Sequence, residues 1–395
     1  MQRLPSLRTA SSLRGKRAFV RVDFNVPIEG GKITDDRRIR AALPTINYLV
    51  ESGAGVILCS HLGRPKEGQP DPAYSLAPVK AHLEFLLHRP VGWIEDPFKV
   101  QEVRPGEVYL MENIRFFPGE TKNDINLARA LAQWADIYVS DAFGSLHRAH
   151  ASVDALARLL PEKYAGFLVE AEWENAQRVL EQIESPYLVV VGGAKVSDKL
   201  PLLQNLLPRL DKLLIGGGMS YTFLYALGRP IGRSLLEKEQ VEAARHILAE
   251  AERLDKKILL PEDSIAASEF RADAQTQVFR HDDALFPEEY MGLDIGPATV
   301  QAAAQFMAGS RTILWNGPMG VFEWEAFRQG TQRVAQLIAA ETAKGAYSLI
   351  GGGDTAAAAE VVGVVDQVSF ISTGGGALLE LLSGERLPGI AALLS

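Results

Sequence analysis

The sequence predicts a two-lobed α/β protein with mostly parallel sheets, in which one helix joins the lobes. Two observations predict the lobes: apolar runs before position 166 end in Arg and His, whereas apolar runs after position 183 end in glycine clusters. A third observation concerns the segment between them, GFLVEAEWENAQRVLEQI, in which apolar residues recur at spacings of three and four. Gly166–Ile183 is therefore predicted to be an amphipathic connecting helix and a hinge.

Composition limits the possible partners of the chain. Its 395 residues are 47% hydrophobic, which is enough for two domain cores. The formal net charge of −8 leaves no broad basic surface for nucleic acid or an anionic membrane, so any anion site must be local. The only cysteine, Cys59, cannot form an intramolecular disulfide, which favours a reducing compartment and hence the cytoplasm. We expect neither a signal peptide nor a membrane span.

The first lobe is predicted to bind a small, multiply charged anion. Strand-like runs alternate with helical patterns, so a mostly parallel sheet is expected, with ligands outside the carboxyl ends of its strands. Polar residues lie at those ends, or at the start of a helix: Arg21, Asp23, Asn25, Arg38, His61, Arg64, Arg115, Arg148 and His150. A lone Arg is usually a surface cation, and the run from Phe19 to Val26 also fits an edge strand with a solvated face. Several converging Arg residues favour a pocket for carboxylate or phosphate.

The second lobe repeats a plan of apolar strand, glycine cluster and helix. The runs YLVVVGG, LLIGGGM, SLIGGGDT and SFISTGGGA follow it. Glycine permits positive φ and lets backbone N–H groups approach an anion at a helix N-terminus. The alternative is that the glycines only make tight turns, which is the weaker explanation for a repeated pattern. Lys195 and Lys199 are four residues apart and can face one phosphate chain, or they are a solvated pair.

Other residues of the second lobe favour a nucleotide with its metal. Asp354 is a carboxylate at a glycine turn, which suits Mg²⁺, although it also fits a helix cap. Asn316 and Glu323 are polar residues within the otherwise apolar segment TILWNGPMGVFEWEAF, as in a nucleoside pocket. Gly351–Ala356 also matches the dinucleotide pattern G-x-G-x-x-A, but no acidic residue closes the next strand about 20 residues later. No Walker-type loop or zinc-type Cys and His spacing is present.

The motifs RVDFNVP, SHLGRP, ENIRF, HRAHAS, GGAKVSDK, IGGGM, WNGPMGVFE, GGGDT and TGGGA occur in one order along nearly the whole chain. In this order they resemble the phosphoglycerate kinase family. The resemblance implies two doubly wound, Rossmann-like lobes and four segments: an N-terminal substrate domain at 1–165, the hinge at 166–183, a nucleotide domain at 184–373, and a segment at 374–395 that returns to the first lobe. A monomer is expected, and because the anion ligands precede Gly166 and the nucleotide ligands follow Ile183, the lobes are expected to close over both substrates.

The same resemblance implies a reaction and the roles of residues. The reaction is phosphoryl transfer between 1,3-bisphosphoglycerate and ADP, giving 3-phosphoglycerate and ATP, with Mg²⁺ at Asp354. The implied substrate ligands are Arg21, Asp23, Asn25, Arg38, His61, Arg64, Arg115 and Arg148. The implied nucleotide ligands are Lys195, Lys199, Gly217, Asn316, Glu323, Gly351, Gly352, Gly353, Asp354 and Thr355. The implied catalytic set is Arg38, Lys195, Gly352, Gly353 and Gly375. A nicotinamide dehydrogenase and a two-lobed binding protein without catalysis are the alternatives.

Overall fold

Parallel strands followed by helices make up both halves of the chain in the computed structural model, which describes residues 2–282 and 285–395. The chain divides into two compact units. Unit 1 runs as far as Glu174 and also includes Arg386–Ser395, whereas unit 2 is Asn175–Glu385. The predicted α/β class with two parallel sheets is confirmed.

Unit 1 is built on a six-stranded parallel sheet. Its strands and a small hairpin are β1 Arg17–Val22, β2 Ile28–Glu29, β3 Lys32–Ile33, β4 Gly55–Cys59, β5 Val91–Ile94, β6 Val108–Met111, β7 Ile137–Asp141 and β8 Glu162–Ala165. Its helices are α1 Arg37–Glu51, α2 Ala77–Leu87, α3 Ile125–Ala132 and α4 Leu156–Leu159, the last preceded by a π-helical turn at Ala151–Ala155. The sheet order is β5-β6-β4-β1-β7-β8, and β2 pairs only with β3.

Strand β1 lies at the centre of this sheet, between β4 and β7. Its residues Ala18–Val22 are all buried, and Arg21 is only 1% exposed. The edge-strand interpretation of this segment is therefore excluded. Ile39 of α1 packs in one apolar cluster with Val20 of β1 and Leu58 of β4. The sheet is thus covered by helices, as continuous apolar parallel strands require.

The next helix, α5, is Phe167–Leu180, and it corresponds to most of the predicted connecting segment. The division between the units falls within it, at Glu174 and Asn175. Its buried face carries Val169, Ala176 and Val179 at helical spacing, but Glu172 and Gln177 are buried as well. Leu168 and Trp173, two of the apolar residues that predict the helix, are only half buried. Its role as a hinge stays a prediction.

Unit 2 contains a second six-stranded parallel sheet and a smaller antiparallel one. The strands are β9 Tyr187–Val191, β10 Lys212–Ile215, β11 Lys257–Leu259, β12 Asp263–Ala267, β13 Thr276–Arg280, β14 Met291–Ile295, β15 Thr312–Asn316, β16 Tyr347–Ile350 and β17 Phe370–Ile371. The helices are α6 Val196–Leu206, α7 Ser220–Ala226, α8 Val241–Arg253, α9 Pro297–Met307, α10 Gln329–Ala343, α11 Gly353–Val362 and α12 Gly375–Leu382. The orders are β11-β10-β9-β15-β16-β17 and β13-β12-β14.

The end of the chain differs from the sequence-based boundary at 374. Helix α12 packs against α6, so it belongs to unit 2. The last helix, α13 Pro388–Leu393, packs against the Ala151–Ala155 turn, α4 and β8 of unit 1. Only Arg386–Ser395 therefore belongs to unit 1, because α12 already packs against α6 of unit 2. In the described part of the chain, no helix has the length and apolar character needed to cross a membrane.

Candidate functional site

The carboxyl edge of the sheet in unit 1 carries a basic pocket. The chain runs from β1 to β4 on one side and later returns to β7 on the other, so the strand order changes direction between β1 and β7. Ligands bind at such switch points in open α/β sheets. A pocket of about 480 Å³ opens at this edge. Its lining residues are Arg64, Pro65, Glu67, Arg115, Phe117, Glu120, Thr121, Arg148 and His150.

Arg21 is a buried cation behind this pocket, near the end of β1. Its Nε donates to Ser152 Oγ at 2.8 Å, and its Nη1 donates to the Val22 carbonyl oxygen at 2.6 Å. Its Nη2 lies 3.0 Å from His61 Nδ1. A buried charge is tolerated only when its donors have partners, and these bonds hold the guanidinium in one orientation.

His61 and His150 are neutral members of the basic cluster. Burial, together with the nearby guanidinium groups of Arg21 and Arg115, holds the pKa of His61 well below its usual value. Burial and the same two groups lower the pKa of His150 to about 4. Because arginine only donates, His61 Nδ1 accepts from Arg21, and the neutral ring carries its proton on Nε2. His61 can therefore donate a hydrogen bond without adding charge.

Arg115 is a partly buried cation of the pocket whose hydrogen-bond donors are not all satisfied. Its Nη1 donates to the Gly63 carbonyl oxygen at 2.8 Å, but its buried Nε has no hydrogen-bond partner among the described residues. Burial and the neighbouring Arg21, Arg148 and Arg64 lower the pKa of Arg115 to about 10. An unsatisfied buried donor of this kind costs free energy, which an anionic ligand would recover.

The other candidate substrate residues of unit 1 are at the surface of the pocket or support it. Arg38 lies in the first turn of α1 and is half exposed, and its Nη1 contacts the Asn25 carbonyl oxygen at 2.9 Å and Asp23 Oδ1 at 3.4 Å. Asn25 Oδ1 accepts the Gly63 N–H at 3.0 Å. Asp23 and Asn25 thus hold Arg38 and the loop after β4 in place. Arg64 and Arg148 are exposed at the rim.

In unit 2, the loop after β15 joins the glycine turns of the neighbouring strands. Its Asn316 and Pro318 carbonyl oxygens accept the N–H groups of Gly192 and Gly193, at 3.0 and 3.1 Å. The Met319 carbonyl oxygen accepts the Gly217 N–H at 3.1 Å. At Gly192 a Cβ would lie 2.0 Å from the Pro318 carbonyl oxygen, so the close approach of two backbones requires glycine there.

Asn316 and Thr355 use their side chains within the protein. Asn316 Nδ2 donates to the Gly351 carbonyl oxygen at 2.8 Å, and its Oδ1 accepts from Lys199 Nζ. Thr355 Oγ1 accepts the Gly317 N–H at 2.7 Å and is 1% exposed. Asn316 is the last residue of β15, and Thr355 lies in the first turn of α11, after the glycine turn that follows β16. Their side chains fix the shape of the site.

Gly353 has a different environment from Gly192, whereas Gly352 has a φ of +99° that favours glycine. Gly353 has ordinary φ and no heavy atom within 4 Å of a Cβ built on it, so packing does not require glycine at this position. The amides of Gly353, Asp354 and Thr355 precede the first intrahelical bond of α11, which Ala356 donates to the Gly352 carbonyl oxygen. An open helix N-terminus of this kind suits a phosphate group.

The remaining candidates in unit 2 fall into exposed and buried groups. Lys195, Glu323, Asp354 and Gly375 are exposed, whereas Gly217 is packed against Gly193. Lys199 is half buried, and desolvation lowers its pKa, opposed by the carboxylates of Asp198 and Asp354. Gly351 is packed against Leu378. Lys199 and Asp354 thus lie near each other at one glycine turn.

Comparisons with known proteins agree with this geometry. The family model for phosphoglycerate kinase matches residues 8–385. This chain belongs to the phosphoglycerate kinase family. A phosphoglycerate kinase from Thermosipho africanus is 51% identical over 387 residues, which cover 96% of each chain. One from Thermus thermophilus is 50% identical over 386 residues, covering 96% of this chain and 97% of its own.

Solved structures of the phosphoglycerate kinase family have the same fold. The structure of phosphoglycerate kinase from Coxiella burnetii matches with a TM-score of 0.94 and 44% identity, covering 99% of both chains. The one from Pyrococcus horikoshii matches with a TM-score of 0.82 and 34% identity, covering 99% of this chain and 98% of its own. Family membership makes the chain a kinase, in agreement with the sequence-based resemblance.

Sequence reasoning missed three residues around the two sites of this kinase. Glu120 and Ser152 form the hydrogen-bonded wall behind Arg21. Leu235 is 52% exposed and lies close to Gly218 and Ala194. A Cβ built on Gly218 would be 3.1 Å from Leu235 Cδ2. For Glu120 and Ser152 no local pattern was available, since they meet Arg21 from distant segments. For Leu235, an apolar residue in a loop after α7 was the only signal.

Proposed function

We propose that this chain transfers a phosphoryl group between 1,3-bisphosphoglycerate and ADP, giving 3-phosphoglycerate and ATP, as a step of glycolysis. One observation carries most of the proposal: the basic pocket holds a buried Arg115 donor without a partner among the described residues. A ligand with both a phosphate and a carboxylate would satisfy such a cluster of guanidinium groups. The glycine turns of unit 2, with Lys199 beside them, support a nucleotide as the second ligand.

Within unit 1, the exposed and the buried cations would have different roles in binding the substrate. Arg64, Arg115 and Arg148 line the pocket and would bind the anionic groups of 3-phosphoglycerate. Arg21 acts from behind, and His61 would donate from Nε2. Asp23 and Asn25 would serve by holding Arg38, whose half-exposed guanidinium is available to the transferring phosphoryl group.

Within unit 2, backbone amides and lysines would bind the phosphate chain. The N-termini of α11 and α12 would offer the N–H groups of Gly353–Thr355 and of Gly375 and Gly376, whereas the Gly374 N–H is donated to Ser372 Oγ at 3.0 Å. Lys195 and Lys199 would add charge. Exposed Glu323 is available to the ribose hydroxyls. Leu235 over Ala194 and Gly218 offers an apolar surface to the base. Gly217, Gly351, Asn316 and the Thr355 hydroxyl would contribute by fixing this backbone.

The residues present fit a nucleotide-bound Mg²⁺. Asp354 is an exposed carboxylate in the first turn of α11, and no group of three or more acidic, His or Cys residues forms a metal cage within residues 2–282 and 285–395. Mg²⁺ commonly takes one or two protein carboxylates and completes its shell with phosphate oxygens and water. Bound at Asp354 with the nucleotide, it would offset negative charge on the phosphate oxygens.

The transfer needs positioning and positive charge more than covalent chemistry from the protein. In the direction of ATP formation the attacking group is an ADP oxyanion, so no general base is needed. Arg38, Lys195 and the amides of Gly352, Gly353 and Gly375 would stabilise charge on the transferring oxygens. Because the reacting atoms must come within roughly 3 to 3.5 Å and water must be excluded, we propose that the units close when both ligands are bound.

Other properties of the chain follow from the same proposal. Each unit carries its own set of ligand residues, so one chain suffices and a monomer is proposed. Cys59 is a free, buried thiol, which supports a reducing compartment such as the cytoplasm. The net charge of −8 does not favour nucleic acid or anionic membranes as partners.

A coupled assay tests the proposed reaction. Purified protein with 3-phosphoglycerate and Mg-ATP should release ADP, measured through an NADH-linked coupling system. D-Glycerate is the matched control, since it lacks the phosphate that the basic pocket would bind, and it should support little turnover. Absence of ADP release with 3-phosphoglycerate would reject the proposal. In a separate titration, saturable NADH binding with no kinase activity would favour the dehydrogenase alternative at Gly351–Ala356.

A further inference from the structure

Glu120 is a buried carboxylate on the wall of the basic pocket, and the proposed transfer gives it no direct role. It is 1% exposed. Its Oε1 accepts the backbone N–H of Ser152 at 2.7 Å, and its Oε2 accepts the Ser152 hydroxyl at 2.6 Å. Burying a carboxylate costs free energy unless its oxygens accept hydrogen bonds. The two bonds to one residue therefore fix both the carboxylate and the π-helical turn at Ala151–Ala155.

The direction of each bond from Glu120 to His61 is determined. Ser152 has one hydroxyl proton, and it is donated to Glu120, so the Ser152 oxygen accepts the Arg21 Nε–H at 2.8 Å. Arg21 Nη2 then donates to His61 Nδ1 at 3.0 Å. Neutral His61 must carry its proton on Nε2. A chain of hydrogen bonds thus runs from a buried carboxylate through Ser152 and Arg21 to an imidazole.

We infer that Glu120 is a positioning residue for the anion pocket, acting through Ser152 and Arg21 to keep His61 in the Nε2–H tautomer. As a statement about 3-phosphoglycerate binding, this inference rests on the proposed function. A carboxylate with only a packing role would not require the hydrogen bonds from Ser152 and Arg21 to run in one direction toward His61. A carboxylate that acted only through its charge would repel the anionic substrate.

Two effects of Glu120 on anion binding have opposite signs. Its negative charge alone weakens the attraction of the pocket for an anion. Its hydrogen-bond chain strengthens binding by orienting Arg21 and His61 before the substrate arrives. The direction of change in KM for 3-phosphoglycerate therefore distinguishes them.

The test is Glu120→Gln, which keeps the shape of the side chain. One glutamine oxygen cannot replace both carboxylate oxygens, and the amide N–H₂ cannot accept the Ser152 hydroxyl. Losing a hydrogen bond to a charged group should raise KM for 3-phosphoglycerate by roughly 10- to 100-fold. KM for the nucleotide should stay unchanged, because the lysines and glycine turns of unit 2 are untouched. The nitrogen chemical shifts of the His61 ring in the free protein should also move from one tautomer toward a mixture.

Asp154→Asn is the matched control. Asp154 lies in the same π-helical turn and is 8% exposed. It accepts from Asn123 Nδ2 at 2.7 Å and Arg158 Nε at 2.8 Å, but it has no bond to Ser152 or Arg21. Its change to asparagine should lower stability and leave KM for 3-phosphoglycerate and the His61 tautomer as in the wild type.

A lowered or unchanged KM in Glu120→Gln, or an equal rise in Asp154→Asn, overturns the inference. If Glu120→Gln does not fold, Ser152→Ala decides, since it breaks the chain but keeps the carboxylate and its bond to the backbone. A raised KM and a changed tautomer then support the inference, and wild-type values overturn it. If the wild type does not phosphorylate 3-phosphoglycerate, the proposed function fails, whereas the His61 tautomer in the two variants still tests the role of Glu120.

Discussion

Asp141, at the end of β7, should make the stability of unit 1 depend on pH. The residue is 1% exposed, and its Oδ1 accepts the Leu168 N–H at 3.1 Å in the first turn of α5. Burial raises the pKa of Asp141 to about 7 from 3.8, against the lowering effect of Thr45 and of the Leu168 and Val169 N–H groups. The perturbation that tests this property is Asp141→Asn, which removes the titration and keeps the shape.

The sign and size of the effect follow from linkage. The folded chain binds the Asp141 proton more tightly than the unfolded chain does. The contribution of this proton to the free energy of unfolding is therefore fully present below about pH 4 and is lost as the pH rises through about 7. At roughly 1.4 kcal/mol for each tenfold change in proton binding, the full loss is about 4 kcal/mol. About 2.5 kcal/mol of it falls between about pH 5 and pH 8.

The assay is urea unfolding of wild type and Asp141→Asn at these two pH values, followed by circular dichroism. The free energy of unfolding of Asp141→Asn minus that of the wild type should rise by about 2.5 kcal/mol from the lower to the higher pH. A difference in packing would add the same amount at both pH values and so would not change this result. Asp136→Asn is the control, because the hydrogen bond from Arg17 lowers the pKa of exposed Asp136. Its contribution is lost only at lower pH, so its difference from wild type should stay constant. Equal pH dependence in wild type and Asp141→Asn would refute the reasoning.

The remaining predictions concern the proposed reaction. Arg38→Ala should lower kcat by roughly 10³-fold with little change in KM, since its cation acts on transition-state charge; a raised KM with normal kcat would make it a substrate clamp. Asp354→Asn should weaken Mg-nucleotide binding in calorimetry and spare 3-phosphoglycerate, and equal loss of both would indicate a helix cap only. Small-angle X-ray scattering should show a smaller radius of gyration only with both ligands, and identical scattering with and without them would contradict closure.

The sequence predicted where the site residues lie better than what their side chains do. In a parallel sheet the carboxyl end of a strand is fixed by its apolar run, so Arg21, His61 and Asn316 could be placed at strand ends from spacing alone. Their partners could not be placed. The Ser152 hydroxyl that Arg21 contacts is 131 residues away, and Asn316 contacts Lys199 across 117 residues. Such partners depend on tertiary packing, which periodicity does not report.

The same limit explains the chain end and the threonine of GGGDT. Residues 375–382 form a helix that packs against α6, and sequence periodicity does not tell which surface an apolar helix face will meet. Thr355 matches a nucleotide-binding motif, yet its hydroxyl accepts the Gly317 N–H. A short polar side chain next to a glycine turn can accept a hydrogen bond either from a nearby backbone N–H or from a ligand. A buried side chain such as that of Thr355 bonds to the backbone.

The two proposed anion sites differ in the source of their positive charge, and this difference determines which substitutions each site should tolerate. The proposed anion site of unit 1 consists of guanidinium groups. Burial, and then repulsion from the neighbouring guanidinium groups, lowers the pKa of Arg115, and the buried carboxylate of Glu120 opposes this shift. Removing one charged side chain from this cluster should therefore change the electrostatic potential at all the others. The proposed site of unit 2 would rely largely on backbone N–H groups at the start of α11, which do not titrate. If the proposed nucleotide site is correct, the requirement there is space for the ligand, and Gly353 lies open although its own conformation does not need glycine.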